Sequence, residues 1–343
     1  MGLKMQKQKI LAATALFVGS TFAANATTPS ATGCVDSATM RTCLDKAQTT
    51  LTECIAVSGG NDDVIISCGW QDNINQMLCY QSSCWNKAYS CEYQYLVSYY
   101  KLQRTVDEKI PFYPAPDNAS GGCSCNLGQV ETNATASLEK VQSSCNKYSS
   151  SLDATDLLTC QCCAWSASVS AFYGICPNTS PEGLGIINFA AKVASYEQFS
   201  GSCAGLTSEK CLKYDIGSAD NGKYIDPANL PAGGTQSLST TVGPSPLISP
   251  PAGATITWSA LSQTFTVTAA AYNAQDVTSG ASTAAATASD TTISTTSGRS
   301  SGSTATATTG SAAAATTTGA ASVSKAYQGT WALVVLGLVV CLV

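Results

Sequence analysis

Residues 67–100 have the sequence SCGWQDNINQMLCYQSSCWNKAYSCEYQYLVSYY. Apolar and cysteine residues recur here at three- and four-residue spacing, which is typical of helices with one buried face. The segment Asn61-Asp62-Asp63 supplies an N-cap and an acidic first turn for a helix that continues to Cys79. A second helix is predicted over Cys84–Leu102, so this stretch indicates a helical fold rich in cysteine.

The same periodicity predicts four more helices on either side: Arg41–Ala56, Ala134–Tyr148, Leu152–Ile175 and Ser180–Gln198. The segment PFYPAP (111–116) cannot be helical, because proline lacks the amide hydrogen that a helix interior requires. It therefore divides the head into two halves. Alternating residues in Thr255–Ala270 predict a two-stranded hairpin, and a lone hairpin is marginal, so it should pack on the head.

A short sequence similarity links the two halves. Leu44–Thr50 aligns with Leu138–Ser144, and a tryptophan follows Cys68 and Cys163 at the same distance. This pattern favours two related halves. The alternative is that helical periodicity alone produces the match.

The chain has 17 cysteines and no histidine. One cysteine, Cys341, lies in an apolar C-terminal tail that we expect to be removed. The other sixteen are an even number in a predicted secreted chain, so we expect up to eight structural disulfides rather than a metal site. They are Cys34, Cys43, Cys54, Cys68, Cys79, Cys84, Cys91, Cys123, Cys125, Cys145, Cys160, Cys162, Cys163, Cys176, Cys203 and Cys211.

Both ends carry processing signals. Residues 1–26 combine three lysines, a short apolar run and Ala24-Asn25-Ala26, as in a secretory signal peptide. The C-terminus ends in an apolar run (331–343) that follows small residues and a polar spacer, which is the pattern of a glycosylphosphatidylinositol (GPI) attachment signal. Gly319 is the predicted attachment residue, with Ala320, Ala321 and Ser322 as alternatives.

The predicted organisation has five parts. A signal peptide (1–26) precedes a Cys-rich helical ectodomain (27–211), a Pro/Gly-rich segment with the hairpin (212–276), a stalk (277–319) and a removed propeptide (320–343). Ser and Thr make up 25 of the 47 residues from Thr278 to Ser324. Such a composition cannot bury enough apolar surface to fold, so we expect a disordered, O-glycosylated stalk.

Composition excludes several classes of function. Without histidine, the chain lacks the usual imidazole base of hydrolases and the imidazole ligands of zinc or haem. Processing would leave 13 basic and 22 acidic residues, a net charge of −9, which disfavours nucleic acid as a partner. Acidic pairs remain as glycosidase candidates, but each also fits a capping or surface role: Asp62-Asp63, Asp107-Glu108 and Asp153 with Asp156.

Aromatic residues crowd the first half of the head. Exposed aromatic rings stack on sugars, which makes Trp85, Tyr99 and Tyr100 candidates for a glycan-binding face; the alternative is that these rings pack a small core. Three sequons in predicted loops or helix starts mark Asn118, Asn133 and Asn178 as N-glycosylation candidates.

The segments 67–100 and 112–128 (FYPAPDNASGGCSCNLG, after Pro111) resemble uncharacterised GPI-anchored surface and cell-wall glycoproteins of filamentous ascomycetes, and the resemblance covers residues 34–211. It implies plasma-membrane anchoring through the lipid, with transfer to wall glucan and a role in wall structure, adhesion or host contact. We therefore predict a non-enzymatic surface glycoprotein without cofactor or metal, whose partner is wall polysaccharide. A scavenger of haem or lipid and a carboxylate-pair glycan hydrolase are the alternatives.

Overall fold

The computed structural model describes residues 28–104, 108–148, 154–196, 203–241, 247–274 and 277. This part of the chain is mainly helical, as predicted. It contains α1 (Ser37–Val57), α2 (Asp62–Ser83), α3 (Cys91–Arg104), α4 (Leu127–Lys140), α5 (Ala154–Ile175), α6 (Ile186–Tyr196) and α7 (Ser208–Leu212). Strands β1 (Thr255–Ala260) and β2 (Gln263–Thr268) form the predicted antiparallel hairpin. The signal peptide, nearly all of the stalk and residues 319–322 lie outside the described residues.

Local caps shift several predicted helix boundaries. Asp36 accepts a hydrogen bond from the amide of Thr39, so α1 begins at Ser37. Asn126 caps α4 in the same way, and that helix begins at Leu127 and ends at Lys140, before a π-helical turn over Val141–Cys145. The cap predicted at Asn61 is confirmed, with bonds to the amides of Asp63 and Val64.

Two helix predictions were wrong in extent. Cys84–Leu102 is not one helix: a 3-10 turn over Trp85–Lys87 precedes α3, which begins at Cys91. Residues 181–185 form turns rather than a helix start, and α6 begins only at Ile186, directly after Gly185, whose φ is +72°. A left-handed residue cannot continue a right-handed helix, which explains the later start.

All sixteen predicted cysteines are paired in the structure. The bridges are Cys34–Cys84, Cys43–Cys79, Cys54–Cys68, Cys91–Cys123, Cys125–Cys176, Cys145–Cys160, Cys162–Cys203 and Cys163–Cys211. Each bridge constrains the unfolded chain, so together they stabilise a head with little charge and modest core volume.

The bridges show that the two halves share one pattern. Cys34–Cys84 and Cys54–Cys68 span 50 and 14 residues, while Cys125–Cys176 and Cys145–Cys160 span 51 and 15. Helices α2 and α5 both have 22 residues. We call α1–α3 the first repeat and α4–α6 the second repeat. The equivalent residue in the second repeat is found by adding 91 to a residue number in or just before α1, and 92 to a residue number from α2 to α3.

The alignment of the two repeats given by the bridges differs from the one suggested by the sequence similarity. The sequence similarity aligned Cys68 with Cys163, whereas the bridges make Cys68 equivalent to Cys160, three residues earlier. The shift is close to one helical turn, so the periodic pattern looks similar in both registers.

The hairpin packs on the first repeat, as predicted. Ile256 and Trp258 lie in a core cluster with Tyr80, Trp85 and Tyr93. The indole N–H of Trp85 donates to the carbonyl of Ala270 at 2.9 Å. Further upstream, isolated β-bridges pair Thr240 with Cys123 and Gln236 with Thr179. The described residues between 212 and 274 are therefore folded onto the helices rather than separate from them.

Candidate functional site

The structure does not place the three predicted sugar-stacking aromatics on one exposed face. Trp85 and Tyr100 are both fully buried. The Tyr100 hydroxyl donates to Glu108 at 2.7 Å inside the protein. Tyr99 is half-buried and stacks on Tyr95, with ring centroids 6.1 Å apart. The prediction of a glycan-binding face at Trp85 and Tyr100 was wrong, because both rings pack the core.

The acidic pairs occupy structural positions where the structure describes them. Asp62 and Asp63 lie in the first turn of α2, where they complement the helix dipole. Glu108 accepts hydrogen bonds from Arg104 and Tyr100. Asp156 accepts from Lys213 and Tyr214, both at 2.8 Å, and the hydrogen bonds from Lys213 and Tyr214 lower its pKa. Asp107 and Asp153 lie outside the described residues.

All three sequon asparagines are exposed. Asn118 and Asn178 lie in loops, while Asn133 lies inside α4 rather than in a loop or at a helix start. The Asn133 amide donates to the carbonyl of Gln129 one turn earlier. All three follow Pro116, so none lies on the α1–α2 hairpin.

The candidate site is a groove of about 500 Å³ along the outer edge of β1, which we call the β1 groove. Its lining consists of Lys109, Ile110, Pro111, Ala252, Thr255, Ile256, Thr257 and Trp258. Three separate segments therefore form it: the residues after α3, the loop before β1 and β1 itself.

The geometry of the hairpin determines which groups face the groove. Leu261 and Ser262 have φ values of 50° and 59°, as in the type I′ turns that join hairpin strands. Ala260 and Gln263 close this turn, and the amide of Ala269 donates to the carbonyl of Ala254. In an antiparallel pair, hydrogen-bonded residues alternate, so the N–H and C=O groups of Thr255, Thr257 and Ser259 point to the outer edge.

The exposed face of the hairpin carries only hydroxyl side chains along this edge. Thr257 pairs with Thr266, and Ser259 pairs with Thr264, with 3.0 Å between the hydroxyl oxygens in each pair. Thr255 lies opposite Thr268 at the far end. Uncharged hydroxyls that both donate and accept therefore stand beside the unpaired backbone groups.

A buried hydrogen-bond chain fixes the floor of the groove. The indole N–H of Trp258 donates to Gln81 at 2.8 Å, and the amide of Gln81 donates to the hydroxyl of Tyr93 at 3.1 Å. That hydroxyl donates to the carbonyl of Pro111 at 2.6 Å. Burial raises the pKa of Tyr93, so its hydroxyl keeps the proton that it donates. The chain thus holds β1 and Pro111 on opposite walls at a fixed spacing.

Residues near the end of α3 hold the turn of the hairpin. The amide of Leu261 donates to Glu108 at 3.2 Å, and Glu108 is paired with Arg104 at 2.8 Å. The guanidinium lies 5.2 Å from the ring centroid of Trp70. The bond from Leu261 to Glu108 therefore ties the turn of the hairpin to the residues that follow α3.

Sequence reasoning missed this groove. The alternation in residues 255–270 predicts the hairpin, but the opposite wall comes from residues 109–111, which are about 150 positions away in the chain. Only the packing of the hairpin on the first repeat brings the two together.

Within the described residues, no group of three histidine, cysteine, aspartate or glutamate side chains is arranged to hold a metal ion. None of the described helices has the length and apolar composition needed to cross a membrane. Comparisons with protein-family models, curated proteins and solved structures gave no match to this chain.

Proposed function

We propose that this chain is a non-enzymatic, GPI-anchored surface glycoprotein whose β1 groove binds neutral cell-wall polysaccharide. The signals at both ends of the sequence support secretion and lipid anchoring. The eight disulfides are compatible with an oxidising extracellular location. A Ser/Thr-rich stalk would hold the head away from the lipid, where it contributes to wall structure or adhesion.

The hydrogen-bonding groups along the outer edge of β1 are the observation that supports a sugar as the ligand. Sugar hydroxyls donate and accept hydrogen bonds, and this edge offers unpaired N–H, C=O and threonine hydroxyl groups together. Pro111, which is half-buried, gives the wall opposite β1 an apolar surface that suits the C–H face of a sugar ring, while Ile110 and Trp258 are buried beneath the groove. Lys109 is the one charged residue in the lining, and the net charge of −5 on the chain disfavours an acidic polymer, so we expect a neutral one.

An extended peptide is the second candidate. Unpaired backbone groups that repeat at strand spacing can accept another strand by β-augmentation. The two candidates differ in what competes for the groove. Soluble β-glucan oligosaccharides should displace a polysaccharide and leave a paired peptide strand in place.

A depletion assay tests the proposal. The purified, oxidised protein is mixed with insoluble β-1,3-glucan, chitin or cellulose, and the protein left in solution is measured. We expect depletion by a wall polymer and its reversal by soluble oligosaccharides of the same linkage. Depletion by none of the polymers would contradict the proposal.

A further inference from the structure

The two repeats differ in what covers the turn end of their first helical hairpin. In the second repeat, residues 207–216 of the same chain lie across this end, held by the Cys163–Cys211 bridge. Tyr214 is buried and contacts Tyr148 edge-on, with ring centroids 5.4 Å apart. Lys213 and Tyr214 both bond to Asp156.

The equivalent end of the first repeat is apolar and exposed. Tyr148 corresponds to Val57, and Asp156 corresponds to Val64, by the register of the disulfides. Val57 is 83% exposed, Val64 39% and Ile66 43%. These three residues stand at the turn end of the α1–α2 hairpin, around Gly59-Gly60.

Acidic residues surround this apolar end. Glu53 lies one helical turn before Val57, and Asp62 lies one turn before Ile66, so each acid stands beside an exposed apolar side chain. Asp63 is the third acid. The sequence has no lysine or arginine between Lys46 and Lys87. We call Glu53, Val57, Asp62, Asp63, Val64 and Ile66 the hairpin tip.

The first repeat also differs from the second at a buried position of α2. Asp72 is equivalent to Ala164, which lies in the cluster that Tyr214 covers in the second repeat. Asp72 is 9% exposed, and its Oδ1 atom has no hydrogen-bond partner, while Oδ2 accepts from Gln76 at 2.7 Å. Leaving a buried polar atom without a partner costs free energy, so the first repeat is less well satisfied at this position than the second, which has an alanine there.

We infer that the hairpin tip docks a partner protein through a segment that carries basic side chains beside apolar ones. The covering segment of the second repeat uses the same chemistry, with Lys213 and Tyr214 on an acid. Charge complementarity favours a basic partner and disfavours both a second copy of the acidic tip and an anionic lipid surface. The predicted sequons all lie beyond residue 116, so no N-glycan would be attached to this hairpin itself.

The test uses the whole processed protein and a 14-residue amphipathic peptide of lysine and leucine, LKKLLKKLLKKLLK, labelled for fluorescence anisotropy. One variant removes the apolar side chains (Val57→Ser, Val64→Ser, Ile66→Ser), and another removes the charges (Glu53→Gln, Asp62→Asn, Asp63→Asn). Control variants change exposed residues elsewhere: two apolar ones (Leu212→Ser with Ile248→Ser), or three acidic ones (Asp45→Asn with Glu139→Gln and Glu209→Gln). Near-ultraviolet circular dichroism checks that every variant is folded.

We expect each tip variant to weaken peptide binding at least tenfold and each control variant to change it less than twofold. Equal weakening by the acidic control would show general charge attraction and overturn the inference. Failure of the wild-type protein to bind the peptide would overturn it as well. Binding of phosphatidylcholine vesicles that depends on Val57, Val64 and Ile66 would replace the protein partner with a lipid one.

Discussion

Ala134 and Ala171 occupy, in the second repeat, the positions that the bridged pair Cys43 and Cys79 occupies in the first. Both alanines are fully buried. The Cα atoms of Cys43 and Cys79 are 5.7 Å apart, within the usual range for a disulfide. The second repeat therefore has the same helix arrangement without a counterpart of the Cys43–Cys79 bridge.

Restoring that bridge tests the equivalence of the repeats. We expect the double variant Ala134→Cys, Ala171→Cys to form a ninth disulfide, because the two Cβ positions should match those of Cys43 and Cys79. Mass spectrometry should show the loss of two hydrogens and no reaction with maleimide after denaturation. The single variant Ala134→Cys serves as the control with one free thiol. Two reactive thiols in the double variant would contradict the proposed register.

A buried ion pair joins the two repeats. Lys101 on α3 lies 3.3 Å from Glu131 on α4, with side chains 13% and 4% exposed. Glu131→Gln should lower the free energy of unfolding by about 3 kcal/mol, because it leaves the Lys101 ammonium buried without a carboxylate. Chemical denaturation measures the change.

The Lys140–Asp215 pair provides the matched control. Its carboxylate is 88% exposed, so solvent screens the interaction. Asp215→Asn should leave the denaturation midpoint unchanged. Equal effects at the two pairs would show that the contact between the repeats contributes no special stability.

Asp72 should make stability depend on pH. Burial raises the pKa of this carboxyl to about 6. Between about pH 4 and pH 6 the folded protein therefore holds a proton that the unfolded chain has released, and stability falls as pH rises through this window. Asp72→Asn should match wild type near pH 4 and be more stable by about 2 kcal/mol at pH 7.

Denaturation curves at both pH values measure this difference, with Asp45→Asn as an exposed control. A stability gain that is the same at pH 4 and pH 7 would show that Asp72 is charged in the folded protein at both.

The three exposed sequons predict N-linked glycans. Protein secreted from a eukaryotic host should lose mass in three steps as Asn118→Gln, Asn133→Gln and Asn178→Gln are combined, and glycosidase treatment should give the same final size. Asn188→Gln, at an asparagine outside any sequon, is the control. A wild-type protein whose mass does not change on glycosidase treatment would contradict this prediction.

The sequence predicted the parts of this fold that depend on local pattern. Helical spacing identified α1, α2 and α5 within a few residues, and alternation identified β1 and β2. It could not decide between a buried and an exposed aromatic, because Trp85 and Tyr100 have the spacing of either a core face or a binding face. Contacts with residues remote in sequence bury these rings, as the hydrogen bond from Trp85 to the carbonyl of Ala270 shows.

The sequence could not predict the disulfide pairing for a similar reason. Cys160, Cys162 and Cys163 lie within four positions, and each pairs with a different segment: Cys145, Cys203 and Cys211. Spacing alone offered Cys163 as the equivalent of Cys68. Only the folded pairing shows that Cys160 takes that place.

Binding of polysaccharide by β1-groove variants tests the central proposal most directly. Thr257→Trp would place a bulky ring in the groove, whereas Thr264→Trp changes an exposed threonine on β2 that does not line it. Each removes one hydroxyl pair, so the two variants should be equally stable. We expect Thr257→Trp to lose binding to the wall polymer that retains wild type, and Thr264→Trp to keep it. Full retention of the Thr257→Trp variant would contradict the assignment of the groove as the polysaccharide site.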